Sequence, residues 1–293
     1  MRFLVTGVKG QLGYDVVKEL KSRGFDDILE YDVDVMDITN EKQVYNCIVG
    51  GEPDVVIHCA AYTAVDKAED DFRMANKVNV NGTKLIAEYS KKVGAKLIYI
   101  STDYVFDGNK PLGETYDVND SVDPINKYGL TKYYGEEMAK LNPKHFIVRT
   151  SWVFGINGNN FIKTMLRLAN ERDEISVVGD QYGSPTYTVD LARLLVDMSL
   201  TDKYGIYHAN NEGYTSWYLF AKKIFEINNI DIKLNNINTE DYKTRAKRPH
   251  NSCLDKSCLD NNGFDRLPLW EDAVERYSDE LNKEKNKQKI LKK

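Results

Sequence analysis

The sequence Thr6-Gly7-Val8-Lys9-Gly10-Gln11-Leu12-Gly13 lies near the start of the chain, between a strand-like run and a helix-like pattern. Residues 2–5 are mainly apolar strand formers, and the apolar residues after the glycines recur at helical spacing. A second strand-like run, 27–31, ends in Asp32. A strand, a glycine turn, a helix, a strand and an acid in this order are typical of a dinucleotide-binding βαβ unit.

Each residue type in this unit meets a physical requirement of dinucleotide binding. Gly7 allows a tight turn that other residues disfavour, Gly10 lets the backbone approach a pyrophosphate, and Gly13 lets the helix pack closely on the strand. The first helical turn offers N–H groups and the positive end of its dipole to phosphates, and the acid can bind a ribose. The predicted cofactor-binding residues here are Gly7, Gly10, Gln11, Leu12, Gly13 and Asp32.

The composition is ordinary for a globular protein, with 42% hydrophobic and 29% charged residues among 293. The net charge of −5 and the lack of a basic patch with interleaved aromatic residues argue against a nucleic-acid partner. No run of about eighteen apolar residues is present, so we expect no membrane partner. Because the chain runs directly into its first predicted strand, we expect no signal peptide and a cytoplasmic location.

The cysteines and histidines do not form a metal-binding or disulfide pattern. The four cysteines, at positions 47, 59, 253 and 258, contain no Cys-x-x-Cys pair, and the four histidines are scattered. We therefore predict no metal site and no disulfide framework. His58 lies in an apolar run and is predicted to be a hydrogen-bonded core residue.

Strand-like and helix-like segments alternate over the first half of the chain, which predicts an α/β fold with a doubly wound parallel sheet. We expect a Rossmann domain over 1–151, a smaller substrate-binding domain over 152–283, and a frayed tail over 284–293. The helix near 189–199 is expected to pack back on the first domain. Further strands are predicted at 54–61, 96–100, 145–151 and 175–178, and further helices at about 41–49, 72–93, 127–140, 160–170, 216–228 and 268–283.

Polar and small residues follow two of these strands. Ala60 and Ala61 end one strand and leave space for a ligand, and Ser101 and Thr102 place hydroxyl groups at the end of another. Ligands of open α/β sheets bind at these carboxyl ends. After the next loop, Tyr128 and Lys132 are four residues apart, so they share one face of a helix.

The Tyr-x-x-x-Lys spacing is weak evidence by itself. It also occurs at Tyr14–Lys18 and Tyr218–Lys222, and chance explains two of three such pairs. Only the pair at 128 and 132 follows a strand that ends in Ser-Thr by one loop, so this context selects it as the candidate functional pair.

At this point the chain resembles the extended short-chain dehydrogenase/reductases, over almost its whole length up to about residue 281. The glycine turn and Tyr128-Gly129-x-x-Lys132 are shared by the whole superfamily. Motifs that resemble its nucleotide-sugar reductase branch are 60–69 (AAYTAVDKAE), 101–108 (STDYVFDG), 149–153 (RTSWV), 160–161 (NF), 180–186 (DQYGSPT) and 248–252 (RPHNS).

The resemblance implies roles for individual residues. The catalytic set would be Thr102, Tyr128 and Lys132. The cofactor would also contact Asp37, Ile38, Ala60, Ala61, Tyr62, Asn79, Ser101, Tyr128 and Lys132. The substrate would contact Thr102, Asp103, Tyr104, Trp152, Asn160, Phe161 and Arg248. From the residues alone, Asp37 is as well explained as a loop or capping acid, and Asn79 is predicted to be buried and hydrogen-bonded.

The implied reaction is reduction of the 4-keto group of dTDP-4-dehydro-6-deoxy-L-mannose to dTDP-L-rhamnose by hydride from NAD(P)H. Tyr128 would supply the proton, Lys132 would lower the tyrosine pKa, and Thr102 would polarise the carbonyl group. An arginine such as Arg248 can bind a diphosphate through its forked donors. Asp32 repels a 2′-phosphate and favours NADH, while Lys9 in the glycine turn leaves NADPH possible.

Other readings stay open. A nucleotide-sugar epimerase or 4,6-dehydratase on the same fold is one alternative, and a non-catalytic regulatory subunit is another. In dehydratase relatives the threonine is followed by Asp and Glu, whereas Tyr104 follows Asp103 here. Some relatives hold magnesium between subunits; Asp15 and Asp190 could contribute, but the tail offers no clear third acid. The expected partner is a nucleotide sugar, and a homodimer is considered.

Overall fold

The computed structural model describes residues 1–291. Its strands are β1 (Phe3–Thr6), β2 (Ile28–Tyr31), β3 (Val55–His58), β4 (Lys96–Thr102), β5 (His145–Thr150), β6 (Val153–Phe154), β7 (Glu174–Val178), β8 (Tyr182–Gly183), β9 (Thr186–Tyr187), β10 (Gly205–His208), β11 (Asn211–Glu212), β12 (Thr215–Ser216), β13 (Lys233–Ile237) and β14 (Leu267–Leu269). Its α-helices are α1 (Gln11–Ser22), α2 (Glu41–Gly51), α3 (Val65–Asp70), α4 (Phe72–Asn76), α5 (Thr83–Lys92), α6 (Lys127–Ala139), α7 (Phe161–Ala169), α8 (Thr188–Ser199), α9 (Trp217–Ile227), α10 (Ser257–Asn261) and α11 (Trp270–Leu291).

The central sheet has six strands in the order β10-β5-β4-β3-β1-β2, and all neighbouring strands are parallel. Side chains of β1 alternate between its two faces. Phe3 and Val5 enter a core with α1 and α8, while Leu4 enters a second core with α2 and α5. Because helices cover both faces, β1 and β3 are fully buried, which explains why they are continuous apolar runs. The predicted doubly wound fold is confirmed.

The chain after residue 151 adds two elements to the first domain, a helix that we predicted and a strand that we did not. Helix α8 packs against α1, as predicted. Strand β10 then pairs with β5, so the sheet is completed by Gly205–His208, for which we predicted no strand. The segment is short, and its strand conformation depends on pairing with a distant partner, which local sequence does not reveal.

A third core lies under the segments that follow residue 151. Phe154, Phe220, Trp270 and Tyr277 pack together there with side chains from α7 and the paired strands β7 and β13. This core supports the residues that follow β5, and therefore the far wall of the cleft described below. Its assignment as a separate substrate-binding domain stays a prediction.

The last helix extends beyond its predicted end. We expected a helix to about 283 and a frayed tail over 284–293, but α11 continues to Leu291, and the last two residues lie outside the described range. Lysine, glutamate and glutamine are good helix formers, so polarity alone did not justify predicting fraying. Within residues 1–291, no helix combines the length and apolar character needed to cross a bilayer.

Candidate active site

A cleft of about 880 Å³ opens at the carboxyl ends of the central strands. The glycine turn forms its floor. Gly7 has a φ of +70°, and a Cβ there would lie 2.8 Å from the Ala60 nitrogen. A Cβ at Gly13 would lie 2.2 Å from the Gly7 carbonyl oxygen. Both positions therefore require glycine, because the turn, the next strand and α1 approach one another too closely for a side chain.

Helix α1 begins at the cleft and has Gly10 as its N-cap, without a capping side chain. The N–H groups of its first turn therefore face the cleft without a side-chain acceptor at the cap, as an anion-binding helix terminus requires. Gln11, Leu12 and Gly13 also line this part. This geometry fits the pyrophosphate of a dinucleotide.

Asp32 lies where the βαβ pattern places it, at the end of β2 beside the glycine turn. Its carboxylate accepts hydrogen bonds from the Lys9 and Val33 backbone nitrogens, both at 2.8 Å. The Lys9 ammonium extends to Asp34 at 2.7 Å. Acidic and basic groups thus lie together beside the glycine turn, at the end of the cleft where we predicted that a nucleotide ribose binds.

The adjacent wall contains the other residues predicted near the nucleotide. Asp37, Ile38, Ala60, Ala61 and Ser101 all line the cleft. Asp37 also accepts hydrogen bonds from the Thr39 nitrogen and hydroxyl, at 2.9 and 2.8 Å. Asp37 is thus a hydrogen-bonded loop acid that also lines the cleft, and the N-cap of α2 is Asn40.

Thr102, Tyr128 and Lys132 line the same cleft as the glycine turn. Thr102 ends β4, and the other two project from α6, whose N-terminus is capped by Asn126 at 2.8 Å from the Gly129 nitrogen. A Cβ at Gly129 would lie 2.1 Å from the Tyr104 carbonyl oxygen. Glycine at this position lets α6 contact the turn after β4, which brings the tyrosine close to the threonine.

Burial dominates the electrostatics of these residues. Burial raises the pKa of Tyr128, and the nearby Asp103 raises it further. Burial lowers the pKa of Lys132 to about 7, against the opposing effect of Glu136. The Lys132 ammonium donates to the Ile100 carbonyl at 2.6 Å and lies 4.2 Å from the centre of the Tyr99 ring.

This differs from our expectation that Lys132 lowers the tyrosine pKa. Burying a phenolate is costly, and this cost is the largest cause of the raised pKa of Tyr128. The tyrosine consequently stays protonated at neutral pH. Protonation is the state that a proton donor needs before the reduction of a carbonyl group.

An aromatic wall faces the catalytic residues. Trp152 stacks on Trp217 with ring centroids 3.6 Å apart, and a Cβ at Gly183 would contact its indole at 2.8 Å. The φ of Trp152 is +46°, in the left-handed region, which is unfavourable for a side chain of this size. The two stacked rings form a flat apolar surface suited to the apolar face of a sugar.

Arg248 lines the cleft from the opposite side. Its guanidinium forms a forked ion pair with Asp66 at the start of α3, at 2.8 and 3.3 Å. Asp66 also accepts a hydrogen bond from the Ala246 nitrogen at 3.0 Å. A second pair of the same kind, Arg245 with Asp70, lies outside the cleft. Both pairs hold the loop 245–249 against α3.

Four of the residues predicted to contact ligands do not line the cleft: Tyr62, Asn79, Asn160 and Phe161. Asn79 is 2% exposed and bonds both backbone groups of Tyr62 and the Thr131 hydroxyl, so its predicted buried state is confirmed. Asn160 caps α7 and donates to Gln11. Phe161 packs on Trp217. These side chains hold cleft-forming elements together, and their ligand contacts stay a prediction.

Residues 1–283 match the RmlD substrate binding domain family. The chain belongs to this family. A dTDP-4-dehydrorhamnose reductase of Aggregatibacter actinomycetemcomitans is 44% identical, over 87% of this chain and 90% of the relative. A dTDP-4-dehydrorhamnose reductase of Escherichia coli is 39% identical, over 96% of this chain and 98% of the relative.

Solved structures of reductases show the same architecture. That of a dTDP-4-dehydrorhamnose reductase from Bacillus anthracis in complex with NADP is 46% identical, covers 95% of this chain and 99% of its own, and superimposes with a TM-score of 0.92. A Clostridium acetobutylicum reductase structure is 43% identical, covers 96% and 100%, and has a TM-score of 0.93. The match extends over almost the whole length of both of these structures.

Two cleft features escaped sequence reasoning. Trp217 was placed only in a helix, although it stacks on the predicted Trp152. Asp66 was part of a recognised motif but had no role, although it pairs with Arg248. The partner in each case lies far away in sequence. No local pattern signals the contact between Trp152 and Trp217. The acids in α3 and the arginines in 245–249 are a weak signal for the contact between Asp66 and Arg248.

The acids considered for an intersubunit metal have other partners. Asp190 is 3% exposed and forms two hydrogen bonds with Arg276, at 2.8 and 2.7 Å, and a third with Asn211. Asp15 accepts a hydrogen bond from Thr188 at 2.5 Å. The Arg276 guanidinium neutralises Asp190, whereas Asp15 Oδ1 has no hydrogen-bond partner among residues 1–291, so the pairing argues only against Asp190 as a cation ligand.

Proposed function

We propose that the protein is a dTDP-4-dehydrorhamnose reductase, which reduces the 4-keto group of its dTDP-linked 6-deoxy sugar with NAD(P)H. The observation that carries this proposal is that Thr102, Tyr128 and Lys132 line one cleft with the glycine turn. The family membership and the names of relatives of similar length support it.

The chain's residues divide the work of this reaction. A bound nicotinamide cofactor supplies the hydride. Tyr128, protonated because of its burial, donates a proton to the alkoxide oxygen that forms at the sugar's C4. Thr102 donates a hydrogen bond to the same oxygen as negative charge develops. The positive charge of Lys132 stabilises the phenolate that remains after proton transfer.

The other cleft residues bind and orient. The α1 N-terminus would hold the pyrophosphate of the cofactor, Asp32 its adenosine ribose, and Asp37 and Ile38 its adenine. Asp103, Tyr104 and the stacked Trp152 would bound the sugar. Arg248 would exchange part of its pairing with Asp66 for the diphosphate of the substrate, since a guanidinium offers five donors.

We propose that the protein uses either cofactor, with a preference for NADH. Asp32 places a carboxylate where the 2′-phosphate of NADPH would lie, which disfavours that cofactor. Lys9 can compensate if its ammonium leaves Asp34 for the phosphate, and the structure of a relative was solved with NADP.

The homodimer and the cytoplasmic location stay predictions. Sedimentation of the purified protein tests whether it is a homodimer.

The neighbouring tyrosine argues against dehydration. Burial raises the pKa of Tyr104, with a further contribution from Asp103. This phenol therefore stays protonated near neutral pH and cannot serve as the base that removes a proton from C5 of a hexose. The resemblance places a glutamate at this position in dehydratases.

A substrate panel tests the proposed function. The purified protein is mixed with NADH or NADPH and with dTDP-4-keto-6-deoxy sugars, the corresponding UDP-linked sugar, and dTDP-glucose, and absorbance of the reduced cofactor is followed. We expect oxidation with the dTDP-linked 4-keto-L-sugar and no change with dTDP-glucose. Formation of a 4-keto product from dTDP-glucose would contradict the proposal.

A further inference from the structure

Asp103 lies directly after Thr102, in a single 3₁₀ turn at the end of β4. It is 2% exposed although it borders the cleft. Its Oδ1 and the Thr102 hydroxyl share a hydrogen bond of 3.0 Å. Its Oδ2 is buried and has no hydrogen-bond partner within residues 1–291. Hydroxyl groups of Thr102 and Ser252 and nearby backbone N–H groups thus act on this carboxyl group, but its Oδ2 lacks a direct hydrogen bond from any described residue.

This environment favours the neutral acid. A buried carboxylate with an unpaired oxygen costs far more free energy than a buried carboxylic acid whose carbonyl oxygen is unpaired. Burial raises the pKa of Asp103 to about 6, and the hydroxyls of Ser252 and Thr102 offset only part of that increase. The ionisable groups that interact with it are Tyr104 in its own turn, Tyr128 in α6, and Cys253.

The protonation state of Asp103 decides where the Thr102 hydroxyl points. A hydroxyl has one hydrogen and two acceptor positions. Thr102 Oγ1 already accepts a hydrogen bond from the Tyr104 nitrogen at 3.2 Å. A protonated Asp103 donates to the second acceptor position, which leaves the threonine hydrogen free to be donated into the cleft. An ionised Asp103 instead accepts that hydrogen.

We propose that Asp103 acts as a protonated acid that orients the Thr102 hydroxyl toward the carbonyl oxygen of the substrate. Asp103 is thus a positioning residue, which works through Thr102, and the proposal rests on the reductase function proposed above. No atom is transferred from Asp103 in the reaction. Its contribution is to fix a hydrogen-bond donor before charge develops on the oxygen.

The sign of the pH dependence follows from these two states. Below the pKa of Asp103, the threonine donates to the substrate and no negative charge lies behind it. Above that pKa, the donor is withdrawn and a carboxylate faces the developing alkoxide, so the rate falls as pH rises. Lys132 loses its charge in the same direction, with a pKa of about 7, so substitutions must separate the two groups.

The test compares kcat from about pH 5 to about pH 8 for the wild-type protein, Asp103→Asn and Asp103→Leu. The amide of Asn can donate to Thr102 at every pH. We expect Asp103→Asn to be faster than Asp103→Leu at low pH and to lose the decline of kcat centred near the lower pKa. Asp103→Leu should lower kcat by roughly 10–10²-fold, below the 10²–10³ of losing a whole oxyanion donor.

A Thr102→Val background shows whether Asp103 acts through the threonine. In that background, Asp103→Leu should have little further effect on kcat, because the hydroxyl that it orients is gone. An equally slow Asp103→Asn and Asp103→Leu at low pH would overturn the proposal. So would a full effect of Asp103→Leu in the Thr102→Val background.

A measurement without substrate separates this proposal from the reductase function. The ¹³C resonance of the Asp103 carboxyl carbon, assigned by its loss in Asp103→Asn, is titrated in the folded wild-type protein. We expect the neutral acid to persist above the ordinary aspartate pKa of about 3.9. If Asp103 is a carboxylate at all pH values above that range, the proposal is overturned. If Asp103 titrates as expected here but no sugar substrate reacts, only the reductase function is overturned.

Discussion

Tyr14–Lys18 and Tyr128–Lys132 have the same spacing on two helices of the same domain, but their surroundings differ. Tyr14 is 43% exposed on α1, and Lys18 pairs with Glu280 at the surface. Lys132 is 3% exposed and lines the cleft with Tyr128. The spacing places both pairs on one helical face. Burial raises the pKa of Tyr128 and lowers that of Lys132, whereas the hydrogen bond to Glu280 raises the pKa of Lys18.

The same contrast holds for the two ion pairs between α3 and the loop 245–249. Arg248–Asp66 borders the cleft, while Arg245–Asp70 lies on the surface with both side chains more than half exposed. Arginine–aspartate ion pairs thus occur twice within a few residues, forked at Arg248 and through one nitrogen at Arg245. The position relative to the cleft, and not the type of interaction, should decide which copy affects catalysis.

The largest effect is expected from Tyr128→Phe. Loss of the general acid should lower kcat by roughly 10²–10⁴-fold, while cofactor affinity changes little. The matched control, Tyr14→Phe, should alter kcat by less than about twofold, because it is a surface substitution. Steady-state kinetics and NADH titration check both variants. Equal effects of the two substitutions would show that the wrong pair was selected.

Arg248→Ala should raise KM for the nucleotide sugar by roughly 10–10²-fold, since a lost hydrogen bond to a charged group is worth about 1.5–3 kcal/mol. The cofactor KM should be almost unchanged. Arg245→Ala removes the equivalent surface pair and should change either KM by less than about threefold. A similar rise in both variants would mean that the loop's attachment to α3, and not the cleft-facing guanidinium, matters.

A smaller effect is expected at the cofactor end. Asp32→Ala should weaken NADH binding by roughly 10-fold and improve the relative use of NADPH, because an acceptor and a negative charge at the ribose are removed. Glu30→Ala is the control: this exposed acid lies on the same strand and pairs with Lys21. Direct titration of both cofactors decides the matter. An unchanged preference in Asp32→Ala would contradict the assignment of that residue.

The sequence was most informative where function depends on local backbone geometry. The glycine turn, the acid after β2 and the helical Tyr–Lys spacing are properties of a few neighbouring residues, and each was recognisable in the printed sequence. The alternation of strands and helices likewise predicted the parallel sheet. In these regions, one short segment dictates its own conformation.

Features that depend on distant contacts were missed. Strand β10 needs β5 as a partner, Trp217 needs Trp152, and Asp66 needs Arg248. The electrostatics of the site were also misjudged, since we expected the Lys132 charge to control Tyr128, whereas burial dominates. Burial depends on the whole fold, so the residue types alone do not give it.

The ratio of NAD(P)H oxidised to sugar product formed tests the central claim most directly. With limiting dTDP-4-dehydro-6-deoxy-L-mannose and excess reduced cofactor, a reductase oxidises one NAD(P)H for each dTDP-L-rhamnose and releases the oxidised cofactor in every turnover. Absorbance and chromatography of the nucleotide sugars give the two quantities from the same sample. We predict a ratio of about one, as hydride transfer to a ketone requires. Product formation on a retained cofactor, without net loss of NAD(P)H, would contradict the account.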